Sequence, residues 1–93
     1  MRIRIGRRTW SLDFVRRDDM QSRSNWGECD PPTLRAPKIT VRRSLAPRAM
    51  LEVTIHELLH AVRPELSEEA VTDSASIIAR TLYRLGARVE PPE

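Results

Sequence analysis

The stretch that decides the fold runs from residue 44 to residue 64 and reads SLAPRAMLEVTIHELLHAVRP. We predict a helix here that ends at about Val62. Pro47 suits its first turn, where the missing N–H is not needed, and Pro64 stops it. Apolar side chains recur along it at helical spacing and form a wide stripe, so this helix should be central to the core. The stripe consists of Leu51, Ile55, Leu58, Leu59 and Val62.

The same helix carries the motif His-Glu-x-x-His at residues 56–60, which contains both histidines of the chain. This spacing places His56 and His60 on one face, about 6 Å apart along the helix axis, where two imidazoles can share one tetrahedral Zn²⁺. Glu57 lies at the edge of that face, within reach of a water molecule on the metal, as a general base would be. The alternative is a pair of histidines on a partly exposed helix beside a solvated glutamate.

A catalytic zinc site needs a third protein ligand, and the second predicted helix offers two candidates. This helix begins after Ser67, a good N-cap, and Gly86 is placed to end it. We expect Glu68 to be the ligand because it shares the apolar stripe that should face the first helix. Glu69 is the alternative, and Asp73 would then orient a histidine. The stripe consists of Val71, Ala75, Ile78 and Leu82.

Three segments alternate between apolar and polar residues and are predicted to be strands. The first two, Arg2–Ile5 and Trp10–Phe14, can pair as a hairpin, and the third, Lys38–Arg42, precedes the first helix. The intervening residues 16–37 are rich in turn-forming residues, which predicts a long loop. The predicted fold class is therefore α+β, with a small three-stranded antiparallel or mixed sheet packed on two helices.

The composition indicates one small globular domain. Of the 93 residues, 40% are hydrophobic and 31% are charged, and we expect residues 1–86 to form the domain and 87–93 a frayed tail. Cys29 is the only cysteine, which excludes an internal disulfide, and no apolar run approaches the roughly 20 residues that span a bilayer. Since the N-terminus also lacks the apolar core of a signal peptide, we expect a cytoplasmic protein without a membrane partner.

Arginine supplies nearly all of the positive charge, and Lys38 is the only lysine. The pairs Arg7-Arg8, Arg16-Arg17 and Arg42-Arg43 could contact nucleic acid. The net charge is only +3, however, and a solvated surface explains such pairs equally well. A nucleic-acid partner is therefore not the leading expectation, and the sequence predicts no oligomeric state.

Several segments resemble the short zincin-type metallopeptidases of bacteriophages and prophages, and more distantly the SprT-like and ImmA/IrrE-like metallopeptidases. The resemblance extends over roughly residues 26–86 and is carried by His56–Ala61, Pro64–Val71, Ile78–Arg80, Leu82–Gly86, Trp26–Asp30 and Ile39–Val41. It implies a minimal zincin-like domain in the cytoplasm of a bacterial host, with one Zn²⁺ per chain. It also implies that the strand before the helix, Lys38–Arg42, borders the cleft and could pair with a substrate strand.

The function implied by the resemblance is hydrolysis of a peptide bond in a peptide or protein substrate. His56 and His60 would be zinc ligands, Glu57 the general base, and the third ligand would lie in the pair Glu68–Glu69. The chain departs from related families because it has no third histidine, and Tyr83 lies too far along the second helix to stabilise an oxyanion. Two alternatives are a zincin-like binding or regulatory module with little turnover and a small basic nucleic-acid-binding domain.

Overall fold

A computed structural model describes residues 1–92 of the chain. Four strands, one short 3-10 turn and two helices follow one another in this part of the sequence. They are β1 (Arg2–Ile5), β2 (Arg8–Val15), the 3-10 turn (Arg17–Asp19), β3 (Gly27–Cys29), β4 (Lys38–Arg42), α1 (Pro47–Val62) and α2 (Glu68–Arg84). The α+β class and the two helices are confirmed.

The strands form one mixed sheet in the order β1-β2-β4-β3. β1 and β2 pair antiparallel as the predicted hairpin, and Gly6 in their turn takes a φ of 61°, which favours glycine. β2 and β4 run parallel, whereas β4 and β3 run antiparallel. The prediction of three strands is therefore wrong, because β3 lies inside the segment that the turn residues mark as a loop.

β4 is one of the two inner strands of the sheet, and its Ile39 and Val41 are completely buried. Because β2 and β4 pair along one edge and β3 and β4 along the other, β4 has no edge left for a substrate strand. The expectation that Lys38–Arg42 pairs with substrate is wrong for this reason. The outer strand on that side is β3, and no other strand of residues 1–92 pairs with its far edge.

Helix α1 packs against β3, β4 and α2, and its ends agree with the prediction. Its buried face differs from the predicted stripe, since Val62 is 51% exposed and Ile55, Leu58 and Leu59 are only partly buried. The helix meets the sheet on one side and α2 on another, so no single apolar stripe is wholly enclosed. The buried residues are Met50, Leu51, Thr54, Glu57 and Ala61.

Helix α2 has the predicted signals at both ends. The Ser67 hydroxyl accepts a hydrogen bond from the Ala70 amide at 3.1 Å, and Gly86 follows the helix with a φ of 99°. Its buried face consists of Val71, Ala75 and Ala79. The larger side chains of Ile78 and Leu82, predicted to be buried, are 40% and 38% exposed, because α2 meets α1 through small side chains that permit close approach.

Beyond α2 the described chain has no regular secondary structure, but it packs back onto the domain. Val89 contacts the hydrophobic core, and the Arg43 guanidinium donates a hydrogen bond to the Pro92 carbonyl oxygen at 3.2 Å. The prediction of a frayed tail over residues 87–93 includes Glu93, which lies outside the described residues. Within residues 1–92, neither helix has the length and apolar character needed to cross a membrane.

Candidate metal centre

Three predicted ligand side chains converge at the point where α1 ends and α2 begins. The Nε2 atoms of His56 and His60 lie 3.2 Å apart. Glu68 reaches across from α2, with one carboxylate oxygen 2.8 Å from His56 Nε2 and the other 2.8 Å from His60 Nε2. The donor atoms of all three residues lie within 4.8 Å of one another, so the cluster could hold a metal ion.

The short connection between the helices produces this convergence. α1 ends at Val62 and α2 begins at Glu68, and within the turn the Leu66 amide donates a hydrogen bond to the Arg63 carbonyl oxygen at 3.1 Å. Ser67 caps α2, so Glu68 is its first residue, and its carboxylate faces His56 and His60 of α1. Glu68 precedes Ala75 and Ala79 by about two and three whole helical turns, so it lies on the same face of α2 as these two buried alanines.

Glu57 lies beside the cluster, between α1 and the sheet, and only 8% of its surface is exposed. Burial, and to a lesser extent the carboxylates of Glu68 and Glu28, raise the pKa of Glu57 to about 7. Gly27 of β3 allows the strand to pack closely against α1 next to Glu57. A β-carbon at Gly27 would lie 2.6 Å from Val53 Cγ1 and 2.8 Å from Glu57 Cγ, so the backbone of β3 packs directly on this part of α1.

The loop before β3 is fastened to the sheet by Glu28. Its carboxylate accepts hydrogen bonds from the backbone amides of Gln21 and Ser22 and, at 2.7 Å, from the side-chain amide of Asn25. Burial acts to raise the pKa of Glu28, but these hydrogen bonds and the charge of Lys38 hold it below its usual value. Glu28 therefore holds in place the loop before β3, which lines one side of the site.

The cluster of His56, His60 and Glu68 opens into a cleft of about 550 Å³. Cys29 lines this cleft but is not among the three converging donors His56, His60 and Glu68. Burial, with smaller contributions from the carboxylates of Glu57 and Asp30, raises the pKa of the Cys29 thiol to about 12. The cleft is lined by β3 and its flanking loops on one side and by the histidine motif on the other: Gln21, Asn25, Gly27, Glu28, Cys29, Asp30, Pro31, Pro32, His56, Glu57, His60, Pro64 and Glu68.

The structure thus brings together four predicted site residues, namely His56, Glu57, His60 and Glu68, in one cleft. Glu69 is exposed on α2 and does not line the cleft, and the same holds for Asp73. Sequence reasoning did not identify Gly27 and Glu28 as parts of the site. The sequence carries no signal for Gly27, because it stands among turn-forming residues, and only the folded chain shows that it is the one glycine without a positive φ.

Comparisons of the chain with protein-family models, with curated proteins and with solved structures found no match. The geometry and chemistry of the cleft are therefore the basis for assigning a function to this protein.

We expect the substitution Gly27→Ala to destabilise the protein by about 1–3 kcal/mol, because the new methyl group would overlap Val53 and Glu57. Urea denaturation followed by circular dichroism measures this loss. The double variant Gly27→Ala with Val53→Ala should recover part of the effect of the overlap, because the methyl group of Val53 that meets the added carbon is gone. A Gly27→Ala protein as stable as wild type would show that β3 does not pack this closely on α1.

Proposed function

We propose that this protein is a zinc-dependent peptidase of minimal zincin type, which binds one Zn²⁺ through His56, His60 and Glu68. The observation that carries the proposal is the position of Glu57. Its buried carboxylate borders the same cleft as the three donors and lies next to the outer strand of the sheet. A purely structural metal site has no need of a further buried carboxylate beside its three donors.

The chemistry of the three donors supports zinc. Two imidazole nitrogens and one carboxylate form the ligand set of many catalytic zinc sites, which keep a fourth position open. Two ligands at about 2.0–2.1 Å from a tetrahedral zinc ion lie roughly 3.3 Å apart. The 3.2 Å between His56 Nε2 and His60 Nε2 agrees with that spacing. Calcium and magnesium are less suited, since both prefer oxygen ligands.

A zinc ion held there would supply a water molecule of lowered pKa and a Lewis acid for the substrate carbonyl oxygen. Glu57 accepts the proton of the attacking water and delivers it to the leaving amine. Its carboxylate is held for this role by α1, which carries it, and by the backbone of β3 at Gly27. Glu28 keeps the loop before β3 in place through its hydrogen bonds to Gln21, Ser22 and Asn25.

The free edge of the sheet supports a peptide as the substrate. β3 borders the cleft, and no strand of the described chain pairs with its outer edge. An extended peptide can add to such an edge through main-chain hydrogen bonds, which do not depend on its side chains. A peptide placed along Gly27–Cys29 would bring its backbone carbonyl groups past His56 and Glu57, in the same cleft.

Metal analysis combined with a hydrolysis assay tests the proposal. Wild-type protein should bind about one zinc ion per chain and cleave a denatured, fluorescently labelled protein, and a chelator should abolish cleavage until zinc is restored. His60→Ala should bind no zinc at the same concentration and should be inactive, because it removes one of the three donors.

Circular dichroism of the His60→Ala protein controls for the fold. Full zinc content in the His60→Ala protein would place the metal elsewhere. Zinc binding at this site without hydrolysis of any substrate would instead favour a zincin-like binding or regulatory module.

The nucleic-acid alternative has less support, because three of the paired arginines are engaged within the domain. The guanidinium groups of Arg8, Arg42 and Arg43 each donate hydrogen bonds to backbone carbonyl oxygens. Arg42 holds the loop before β3 by donating to the carbonyl oxygens of Arg23 and Asn25, both at 2.6 Å. These contacts give three of the six paired arginines a structural role.

A further inference from the structure

The cleft beside His56, His60 and Glu68 leads into a groove near the start of α1. A space of about 220 Å³, whose walls include Gly27, His56 and Glu57, connects the two. The groove itself has a volume of about 430 Å³, and we call it the Trp26 groove. It is lined by Trp26, Ala46, Arg48, Ala49, Glu52 and Val53. A peptide that lies along β3 would therefore meet this groove as it leaves His56, His60 and Glu68.

Trp26 presents a large apolar surface at the entrance of this groove. The residue is 53% exposed, whereas the other tryptophan of the chain, Trp10, is 2% exposed. Its backbone is fixed, since its carbonyl oxygen accepts a hydrogen bond from the Arg42 amide of β4 at 2.8 Å. An indole on a fixed backbone has only two side-chain torsions to order when it buries apolar surface against a ligand.

The chemistry of the lining favours an uncharged apolar ligand group. Ala46, Ala49 and Val53 supply aliphatic side chains opposite the indole. The two charged residues of the groove, Arg48 and Glu52, carry opposite signs and leave it without net charge. The cleft at the other end of β3 differs, because its walls are polar and include Gln21, Asn25 and Asp30.

We infer that the Trp26 groove binds an apolar side chain of the substrate, such as leucine, methionine or phenylalanine, close to the bond that is cleaved. This inference rests on the proposed peptidase function and adds a specificity-determining residue to it. Trp26 is the residue immediately before β3, so a substrate strand paired with Gly27–Cys29 places one of its side chains at the indole. A strand advances about 3.4 Å per residue. The substrate residue at the indole is therefore only a few positions along the peptide from the residue at His56, His60 and Glu68.

Two blocked peptides that differ only by leucine or asparagine at one position near the cleaved bond test the inference. The wild-type protein should cleave the leucine peptide with the higher kcat/KM. Trp26→Ala should lower kcat/KM for the leucine peptide by about tenfold or more and change that for the asparagine peptide much less. The matched control is Leu85→Ala, which removes a 77% exposed apolar side chain outside the cleft and the groove and should leave both values unchanged.

Tryptophan fluorescence gives a readout that is independent of turnover. Binding of the leucine peptide to zinc-free protein should shift the emission of the exposed Trp26 to shorter wavelength in a saturable way, while the buried Trp10 serves as an internal reference. Trp26→Phe should remove this change. The asparagine peptide should produce a smaller change at the same concentration.

The outcomes separate this inference from the proposed function. Hydrolysis without an apolar preference, or a preference that Trp26→Ala retains, would overturn the inference and leave the peptidase proposal intact. A saturable change at Trp26 in a protein that hydrolyses no peptide would show that the groove binds an apolar peptide group. It would reject the peptidase proposal and, with it, the role of Trp26 in choosing a cleavage site. If the leucine peptide caused no change in the emission of Trp26, the inference that this groove binds an apolar side chain would be wrong.

Discussion

Replacing Glu68 with glutamine should raise the dissociation constant for zinc by about 100-fold or more. Loss of a group that only orients a zinc ligand costs about 10–100-fold in affinity, and loss of a direct ligand should cost at least as much. The Glu68 carboxylate lies 2.8 Å from Nε2 of both histidines, so it is the group that would bind the metal directly. Glutamine keeps the size of the side chain but offers a neutral amide in place of the carboxylate.

Glu69→Gln is the matched control for this measurement. Both glutamates lie in the first turn of α2, where a negative charge stabilises the helix by only about 0.3–1 kcal/mol. Each variant loses one such charge, so the helix-dipole effect is common to the two proteins. Glu69 does not line the cleft, and we expect its variant to bind zinc within about threefold of wild type. Competition against a chromophoric chelator measures both dissociation constants, and equal values would exclude Glu68 as a ligand.

The elements with strong local signals could be predicted from the sequence. Pro47 and Pro64 bound α1, and Ser67 and Gly86 bound α2, because caps and prolines act on their own few residues. The hairpin of β1 and β2 is similarly local, since alternating residues flank a turn at Gly6. The histidine motif has a fixed geometry wherever a helix forms, so the proximity of its two imidazoles follows from the sequence as well.

The strand β3 could not be predicted, because its three residues carry no alternation and stand among turn residues. It forms because β4 offers an edge and because Gly27 permits close packing on α1, and both conditions arise only in the folded chain. The consequence for the site is large. Without β3 the resemblance to zincin-type proteins implies that β4 borders the cleft, whereas β4 lies between β2 and β3 in the sheet.

The predicted apolar stripe of α2 is partly wrong, yet it places Glu68 on the side of the helix that faces α1. Ile78 and Leu82 are more exposed than their apolar character suggests, because alanines form the contact with α1. Ala75 and Ala79 lie on the same side of the helix as Glu68, at about two and three turns, so the face that carries Glu68 still turns towards α1. Glu69 points about 100° away from that face.

Replacing Glu57 with glutamine should reduce hydrolysis by about 100-fold or more while zinc binding and the fold are retained. A positioned general base contributes about 10²–10⁴-fold to the rate, and glutamine cannot accept the proton. Glutamine has nearly the same shape as glutamate, so it should fit between α1 and Gly27, where space is limited. Zinc affinity should change by less than about tenfold, because Glu57 is not among the three converging donors.

The value of this variant lies in the combination of three measurements on the same protein: kcat/KM, the zinc dissociation constant and the free energy of unfolding. A base that acts only in the reaction changes the first and spares the second. The free energy of unfolding should not fall, because glutamine removes a carboxylate whose pKa is raised by burial and whose ionised form therefore disfavours the fold. The Glu69→Gln protein, which also lacks one carboxylate but keeps the cleft intact, should retain wild-type activity. If Glu57→Gln were fully active, Glu57 would not be the base. If it lost zinc together with activity, the carboxylate would act in metal binding, and the division of roles between Glu57 and Glu68 would have to be reversed.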